Sequence, residues 1–169
     1  LRSVYPDITQ VPPVTLTYPA SLMSETEALA FQSLWLQTTG VKITLLPLDP
    51  TAYQVALQNH QVQLGFVQWS ANFPDPYDCL ALYLRSTSDM NYGQWQNQSF
   101  DQDIAQAEQL YGNARIALYQ QAEKIAISNV AWLPLDHPTM AAVIPSKVQG
   151  VSLDGYGLYF GDWSKVYLS

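Results

Sequence analysis

The sequence is poor in charged residues, and basic residues are the scarcest of them. Lys and Arg account for 7 of its 169 residues against 14 Asp and Glu, which gives a net charge of -7. Because so few cations are available to neutralise phosphates, nucleic acid and anionic membrane surfaces are not expected partners.

Cys79 is the only cysteine, so an internal disulfide is excluded. Its apolar neighbours predict a small core residue.

Signals for export or membrane insertion are also missing from the sequence. It contains no signal peptide, no lipid-attachment motif and no apolar run of about 18 residues. The chain as given is therefore expected to be soluble. It opens on Leu1 rather than Met, and the simplest interpretation is a fragment of a longer protein.

Residues for catalysis are scarce. The two histidines are His60 and His137, and there is no Gly-x-Ser-x-Gly elbow. Asp136 precedes His137, and on a strand neighbouring side chains point to opposite faces, so this pair is poorly arranged for a hydrolase. Cys79 and the histidines fit no metal-ligand spacing, and no glycine-rich loop follows a predicted strand. We therefore expect no enzyme activity, no cofactor and no metal.

The first half of the chain alternates between strand and helix patterns. Strands are predicted over residues 14–18, 41–46 and 62–68, with helices over residues 25–37 and 50–59 between them. Ser24 and Glu27 form a capping box at the start of the first helix, which is expected to bury Leu29, Phe31, Leu34 and Trp35. Asp49 followed by Pro50 is a typical start for the second. Strand–helix–strand–helix–strand with short connections predicts parallel strands and an α/β fold.

The second half is predicted to be mainly helical. Helices are expected over residues 77–84, 99–111 and 114–127, and strands over residues 131–136 and 140–144. A second capping-box pattern, Ser99 to Gln102, predicts the start of the middle helix. The tail from Lys147 is rich in Gly and Tyr and shows no regular pattern.

Residues 69–76, Trp-Ser-Ala-Asn-Phe-Pro-Asp-Pro, follow directly on the third predicted strand. In open α/β sheets, ligands bind at the carboxyl ends of the strands. Trp69 is suited either to stack against a ligand or to close the end of the sheet. Asn72 is suited to bind a ligand or to support a turn, and Asp75 to pair with a cation or to cap the next helix. The polar, aromatic run around Tyr92 fits a pocket lining and a solvated loop equally well.

This octet resembles the Trp-x-Ala-Asp-Tyr-Pro-Asp-Pro loop of the family 5 solute-binding proteins, which deliver peptides, and in some members nickel, to ABC transporters. Further resemblances follow in order along most of the chain, at Pro13-Val14-Thr15-Leu16-Thr17-Tyr18, Gly40-Val41-Lys42-Ile43, Trp132-Leu133-Pro134-Leu135 and Val148-Gln149-Gly150. One position departs from the family pattern, since Asn72 stands where the family usually has Asp.

The resemblance implies a lobe of the type II periplasmic-binding-protein fold, with a mainly parallel sheet flanked by helices. It implies a connector over residues 1–13, a C-terminal ligand-binding lobe over residues 14–146, and a tail over residues 147–169 that in the family packs on the other lobe. The parent protein would be an extracytoplasmic receptor, periplasmic or anchored at the cell surface as a lipoprotein. It would capture a peptide or other small-molecule ligand and deliver it to ABC permease subunits without catalysis, with its N-terminal lobe upstream of this chain.

The same motif alignment implies ligand contacts from Trp69, Ser70, Asn72, Phe73 and Tyr92. In peptide-binding members, the Asp at the position of Asn72 pairs with the free amino group of the ligand. A carboxamide accepts a hydrogen bond without offering a charge, and charge-assisted bonds are roughly twice as strong. The substitution therefore favours a different ligand, or a blocked or longer peptide. The alternatives are an aromatic-lined carbohydrate-binding or glycan-processing domain and an adapter that docks a protein partner.

Overall fold

A computed structural model describes residues 5–137, 143–154, 157–160 and 163–169. The chain divides into two compact units. The first comprises the described residues up to Trp69 together with Asp89–Gln94, and the second comprises those of Ser70–Ser88 and Trp95–Ser169. In the described ranges, no helix combines the length and the apolar character needed to cross a bilayer.

A three-stranded parallel sheet organises the first unit. Its strands are β1 (Val14–Pro19), β2 (Ile43–Leu48) and β3 (Leu64–Gly65), in the order β2-β1-β3. The predicted parallel strands are therefore confirmed. The third strand is shorter than predicted, because only Leu64 and Gly65 pair with β1 before the chain leaves the sheet.

Two helices connect these strands. The first, α1 (Glu25–Thr39), starts with the predicted capping box: the Ser24 hydroxyl accepts from the Glu27 backbone at 3.2 Å, and the Glu27 carboxylate accepts from the Ser24 backbone at 2.8 Å. The second, α2 (Pro50–Gln58), is capped by Asp49. The core of this unit contains Leu16, Tyr18, Met23, Ala28 and Ile43. The expectation that α1 buries Leu29, Phe31, Leu34 and Trp35 is wrong for Leu29 and Leu34, which are exposed. Phe31 and Trp35 are partly buried and pack against this core.

Three helices form the main body of the second unit: α3 (Tyr77–Leu84), α4 (Gln98–Ala107) and α5 (Gly112–Ser128). Phe100, Ile104 and Tyr119 are buried in this unit. The predicted capping box at Ser99 is wrong. Asn97 caps α4, because its side chain accepts from the Phe100 backbone at 3.0 Å.

The strand prediction for the last quarter of the chain is wrong where it can be checked. Residues 131–136 and 143–144 are not strands, and residues 140–142 lie outside the described part of the chain. The tail contains short antiparallel pairs that the sequence pattern did not reveal: β4 (Val148–Gln149) with β7 (Tyr167–Leu168), and β5 (Leu153–Asp154) with β6 (Gly157–Phe160). Strands of two to four residues are too short to show a clear alternating pattern.

Candidate functional site

In the first unit, the end of β3 is held in place by Tyr53 of α2. The buried Tyr53 hydroxyl donates to the Phe66 carbonyl at 2.9 Å, and burial raises the pKa of this phenol to about 12. A Cβ atom at position 65 would lie 2.7 Å from the Tyr53 hydroxyl oxygen, so a larger residue than Gly65 would have to displace that hydroxyl. The chain is thus fixed just before Trp69, whose side chain is 38% exposed.

Tyr92 lies in the same unit and is held by α2 and by the residues that follow it. The Gln54 amide donates to the Tyr92 hydroxyl at 3.0 Å, and His60 Nδ1 lies 3.1 Å from the Tyr92 carbonyl oxygen. His60 has a positive φ of 53° and contributes a contact to Tyr92, a role that its position at a helix end did not suggest. The ring of Tyr92 is half-buried, so it is partly accessible and its position is defined.

In the second unit, Asn72 is bound to the first turn of α3. Its backbone N–H donates to Asp78 Oδ2 and its side-chain Nδ2 donates to Asp78 Oδ1, each at 3.0 Å. Asp78 is completely buried, whereas Asn72 is exposed. Its interaction with Asp78 therefore sets the orientation of the exposed carboxamide.

Asp75 has an internal cationic partner. Both of its carboxylate oxygens accept from the Arg115 guanidinium, at 2.6 and 2.8 Å, and one also accepts from the Tyr77 backbone at 2.9 Å. The guanidinium also lies over the ring of Tyr119, 4.7 Å from its centroid. The hydrogen bonds from Arg115 lower the pKa of the Asp75 carboxyl. Asp75 therefore anchors the segment before α3 to α5, and its charge is already paired.

Phe73 and Ser70 complete the exposed surface of residues 70–76. The Phe73 ring is 43% exposed and stacks on Tyr77, with centroids 6.5 Å apart. Ser70 is also exposed. The structure therefore places Ser70, Asn72 and Phe73 in the second unit, and Trp69 and Tyr92 in the first.

Three positioning residues were missed by the sequence analysis. Gln54 supports Tyr92, Asp78 supports Asn72, and Arg115 supports Asp75. For Asp78, the nearest signal is its place in the first turn of α3, where an acidic side chain is favoured by the helix dipole alone. Arg115 lies 40 residues beyond Asp75, so nothing local connects the two.

Among the described residues, no group of three or more His, Cys, Asp or Glu side chains is placed to hold a metal ion. Burial raises the pKa of the Cys79 thiol, and the charges of Asp78 and Glu123 raise it further. Cys79 is partly buried rather than fully enclosed in the core.

Comparisons with known proteins connect this arrangement to a family. No family model matches the chain. The chain is 30% identical over 132 residues to the probable deoxycholate-binding periplasmic protein YgiS of Escherichia coli, covering 78% of this chain and 24% of YgiS. It is 26% identical over 152 residues to the oligopeptide-binding protein OppA of Bacillus subtilis, covering 89% and 28%.

Among solved structures, OppA of Burkholderia pseudomallei superposes with a TM-score of 0.75 at 25% identity, covering 95% of this chain and 32% of that one. The chain is a homologue of the family 5 solute-binding proteins. It has the α/β fold of these periplasmic binding proteins, with a parallel sheet and flanking helices. It spans about a quarter of the length of the curated family 5 relatives that it matches.

Proposed function

We propose that this chain is the C-terminal ligand-binding lobe of an extracytoplasmic receptor that captures a peptide or peptide-like ligand for an ABC importer and performs no catalysis. The proposal is supported by the family and by the exposed, oriented Asn72 carboxamide, which is the observation that carries it. Around it, the second unit offers an exposed hydroxyl at Ser70 and an exposed ring at Phe73. Backbone amides and apolar side chains of a peptide match such groups.

The relatives define a range of ligand classes for this proposal. Their names refer to an oligopeptide, to di- and tripeptides, to deoxycholate and to heme. In the first unit, the partly exposed aromatic side chains of Trp69 and Tyr92 suit peptides with apolar side chains, because such rings bury a large area at low entropic cost. We propose both residues as ligand contacts together with Ser70, Asn72 and Phe73.

The domain assignment and the partners follow from the same proposal. Residues 1–13 act as a connector, residues 14–146 as the ligand-binding lobe, and residues 147–169 as a tail that packs on the N-terminal lobe. The whole receptor is periplasmic or surface-anchored and delivers its ligand to permease subunits. The lobe alone supplies half of the cleft, so we expect it to bind peptides with millimolar or weaker affinity.

Titration of the ¹⁵N-labelled chain with tetra-alanine and with its N-acetylated form, followed by NMR chemical shifts, tests the proposal. Perturbed resonances are expected at Ser70, Asn72 and Phe73. Phe73→Ala should weaken binding about fivefold, which corresponds to about 1 kcal/mol for a partly exposed ring. Tyr111→Ala is the matched control, because Tyr111 is an aromatic residue of the same unit that is 92% exposed.

A cello-oligosaccharide serves as the second ligand in that titration. If it perturbed the resonances of these residues while both peptides did not, the carbohydrate-binding alternative would replace the proposal. Equal losses of peptide affinity in Phe73→Ala and Tyr111→Ala would exclude Phe73 as a ligand contact.

A further inference from the structure

The side chain of Asp78 is completely buried, with an exposure of 0%, which is unusual for a carboxylate. Removing a carboxylate from water is costly unless hydrogen bonds compensate the charge. Both Asp78 oxygens accept from Asn72, one from the backbone N–H and one from the side-chain amide, each at 3.0 Å. Asp78 also lies in the first turn of α3, where the helix dipole favours negative charge. The hydrogen bonds that compensate the burial of Asp78 therefore depend on the conformation of Asn72.

Both carboxyl oxygens of Asp78 accept hydrogen bonds from Asn72, so this contact decides which way the Asn72 carboxamide faces. The amide nitrogen must be directed at Asp78, and the oxygen Oδ1 must be directed away from it. Asn72 is exposed, and its amide nitrogen is the atom that contacts Asp78. The loop therefore presents a neutral acceptor of defined orientation, and the buried Asp78 carboxyl lies behind it.

We propose that Asp78 is the positioning residue of this site, and that the Asn72–Asp78 pair selects a ligand whose facing group is a neutral hydrogen-bond donor, such as an amide N–H or a hydroxyl, rather than a terminal ammonium. This inference rests on the proposed function, because it assigns the ligand chemistry of the same site. A neutral acceptor with a fixed orientation binds best to a ligand that places a hydrogen-bond donor at one defined position. It binds a cationic group more weakly than an exposed carboxylate would.

The pair can be tested by exchanging its two side chains. The double substitution Asn72→Asp with Asp78→Asn keeps one carboxylate and one carboxamide in contact. The carboxamide introduced at position 78 can donate to the carboxylate at position 72 and accept from the backbone N–H of that residue. The hydrogen bonds are conserved, while the charge moves from the buried position to the exposed one.

The first measurement is urea unfolding of four proteins: the unaltered chain, the two single variants and the double variant. Asn72→Asp places two carboxylates face to face. Asp78→Asn replaces the carboxylate that accepts both hydrogen bonds from Asn72. Each single variant should therefore unfold at a lower urea concentration than the unaltered chain. In the double variant, the urea concentration at the midpoint of unfolding should return most of the way to that of the unaltered chain. If Asp78 acted only as a charge at the start of α3, Asp78→Asn would have the same effect with either residue at position 72. That additive result would overturn the proposed pair.

The second measurement is NMR titration of the unaltered chain and the double variant with tetra-alanine and N-acetyl-tetra-alanine. The ratio of the two affinities should shift by about tenfold toward the free-amine peptide in the double variant. If both peptides bind and their ratio is unchanged, the proposed selectivity is wrong while the receptor function stands. If neither peptide perturbs the unaltered chain, the proposed function fails, and the selectivity inference fails with it. Tyr111→Ala is the control, and its ratio should equal that of the unaltered chain.

Discussion

Two carboxylates three residues apart, Asp75 and Asp78, hold the same segment of the second unit in different ways. Asp78 is completely buried and accepts from the neutral donors of Asn72. The Asp75 side chain is 29% exposed and pairs with the charged guanidinium of Arg115. The buried contact orients Asn72, the proposed ligand contact, and the partly exposed contact fixes where the segment enters α3.

From this difference we expect the ion pair between opposite charges to be the weaker of the two anchors. Partly exposed ion pairs contribute little, because water and salt screen them. Hydrogen bonds to a buried carboxylate contribute more, because the charge has no water to replace a lost donor. We therefore expect removal of Asp78 to cost more free energy of unfolding than removal of Arg115.

The largest expected effect is that of Asp78→Ala. It removes two charge-assisted hydrogen bonds and creates a cavity, so the free energy of unfolding should fall by about 3 kcal/mol in urea denaturation. Asp89→Ala is the control, because Asp89 is exposed, and its change should stay within about 0.5 kcal/mol. A loss below about 1 kcal/mol for Asp78→Ala would reverse the ranking of the two anchors.

Arg115→Ala should have an intermediate effect, about 1.5 kcal/mol. The substitution removes the two hydrogen bonds to Asp75 and the contact with the ring of Tyr119. Arg115→Lys keeps the charge without the paired geometry and should recover about half of the loss. The loss for Arg115→Ala should shrink in about 0.5 M salt, whereas the loss for Asp78→Ala should not. Equal salt dependence would show that both contacts are open to solvent.

The order of elements in the first unit was predictable because its signals are local. The capping box at Ser24, the Asp49 and Pro50 pair, and the alternation in β1 each lie within a few neighbouring residues. The position of the candidate site after β3 follows from the rule for parallel sheets. Short-range patterns of this kind determine helix starts and strand order without reference to the rest of the fold.

The unpredicted features depend on contacts that no local pattern specifies. The Asn72–Asp78 pair spans six residues across a segment that contains two prolines, so the conformation of the loop creates it. Arg115 and Asp75 meet only because α5 packs beside α3. The strand predicted at positions 131–136 fails in the opposite way, because the local pattern is present and the structure does not follow it. Residues 132–135 have the composition of a strand, yet Leu133 remains 60% exposed in irregular backbone.

A smaller effect is expected when pH changes the charge of Asp75. Because Arg115 lowers the pKa of this carboxyl in the folded chain, its contribution to stability is present above the unfolded pKa and is lost as pH falls through the folded one. The difference in unfolding free energy between the unaltered chain and Arg115→Ala should therefore shrink below about pH 4. Urea denaturation at neutral and acidic pH measures it, with Tyr111→Ala as an uncharged control. A difference that grew with acidity would contradict the ion pair.

The smallest effect should come from Asp75→Asn, about 0.5 kcal/mol. A carboxamide oxygen at position 75 can still accept from the Tyr77 backbone or from Arg115, so only the charge assistance is lost. The same substitution at the buried anchor, Asp78→Asn, removes the charge that two donors of Asn72 share, and no water is available to compensate. Urea denaturation of both variants thus compares identical chemical changes at the two anchors. If Asp75→Asn were the more damaging of the two, the ion pair with Arg115 would be the main anchor of the segment, and Asn72 would be oriented by something other than Asp78.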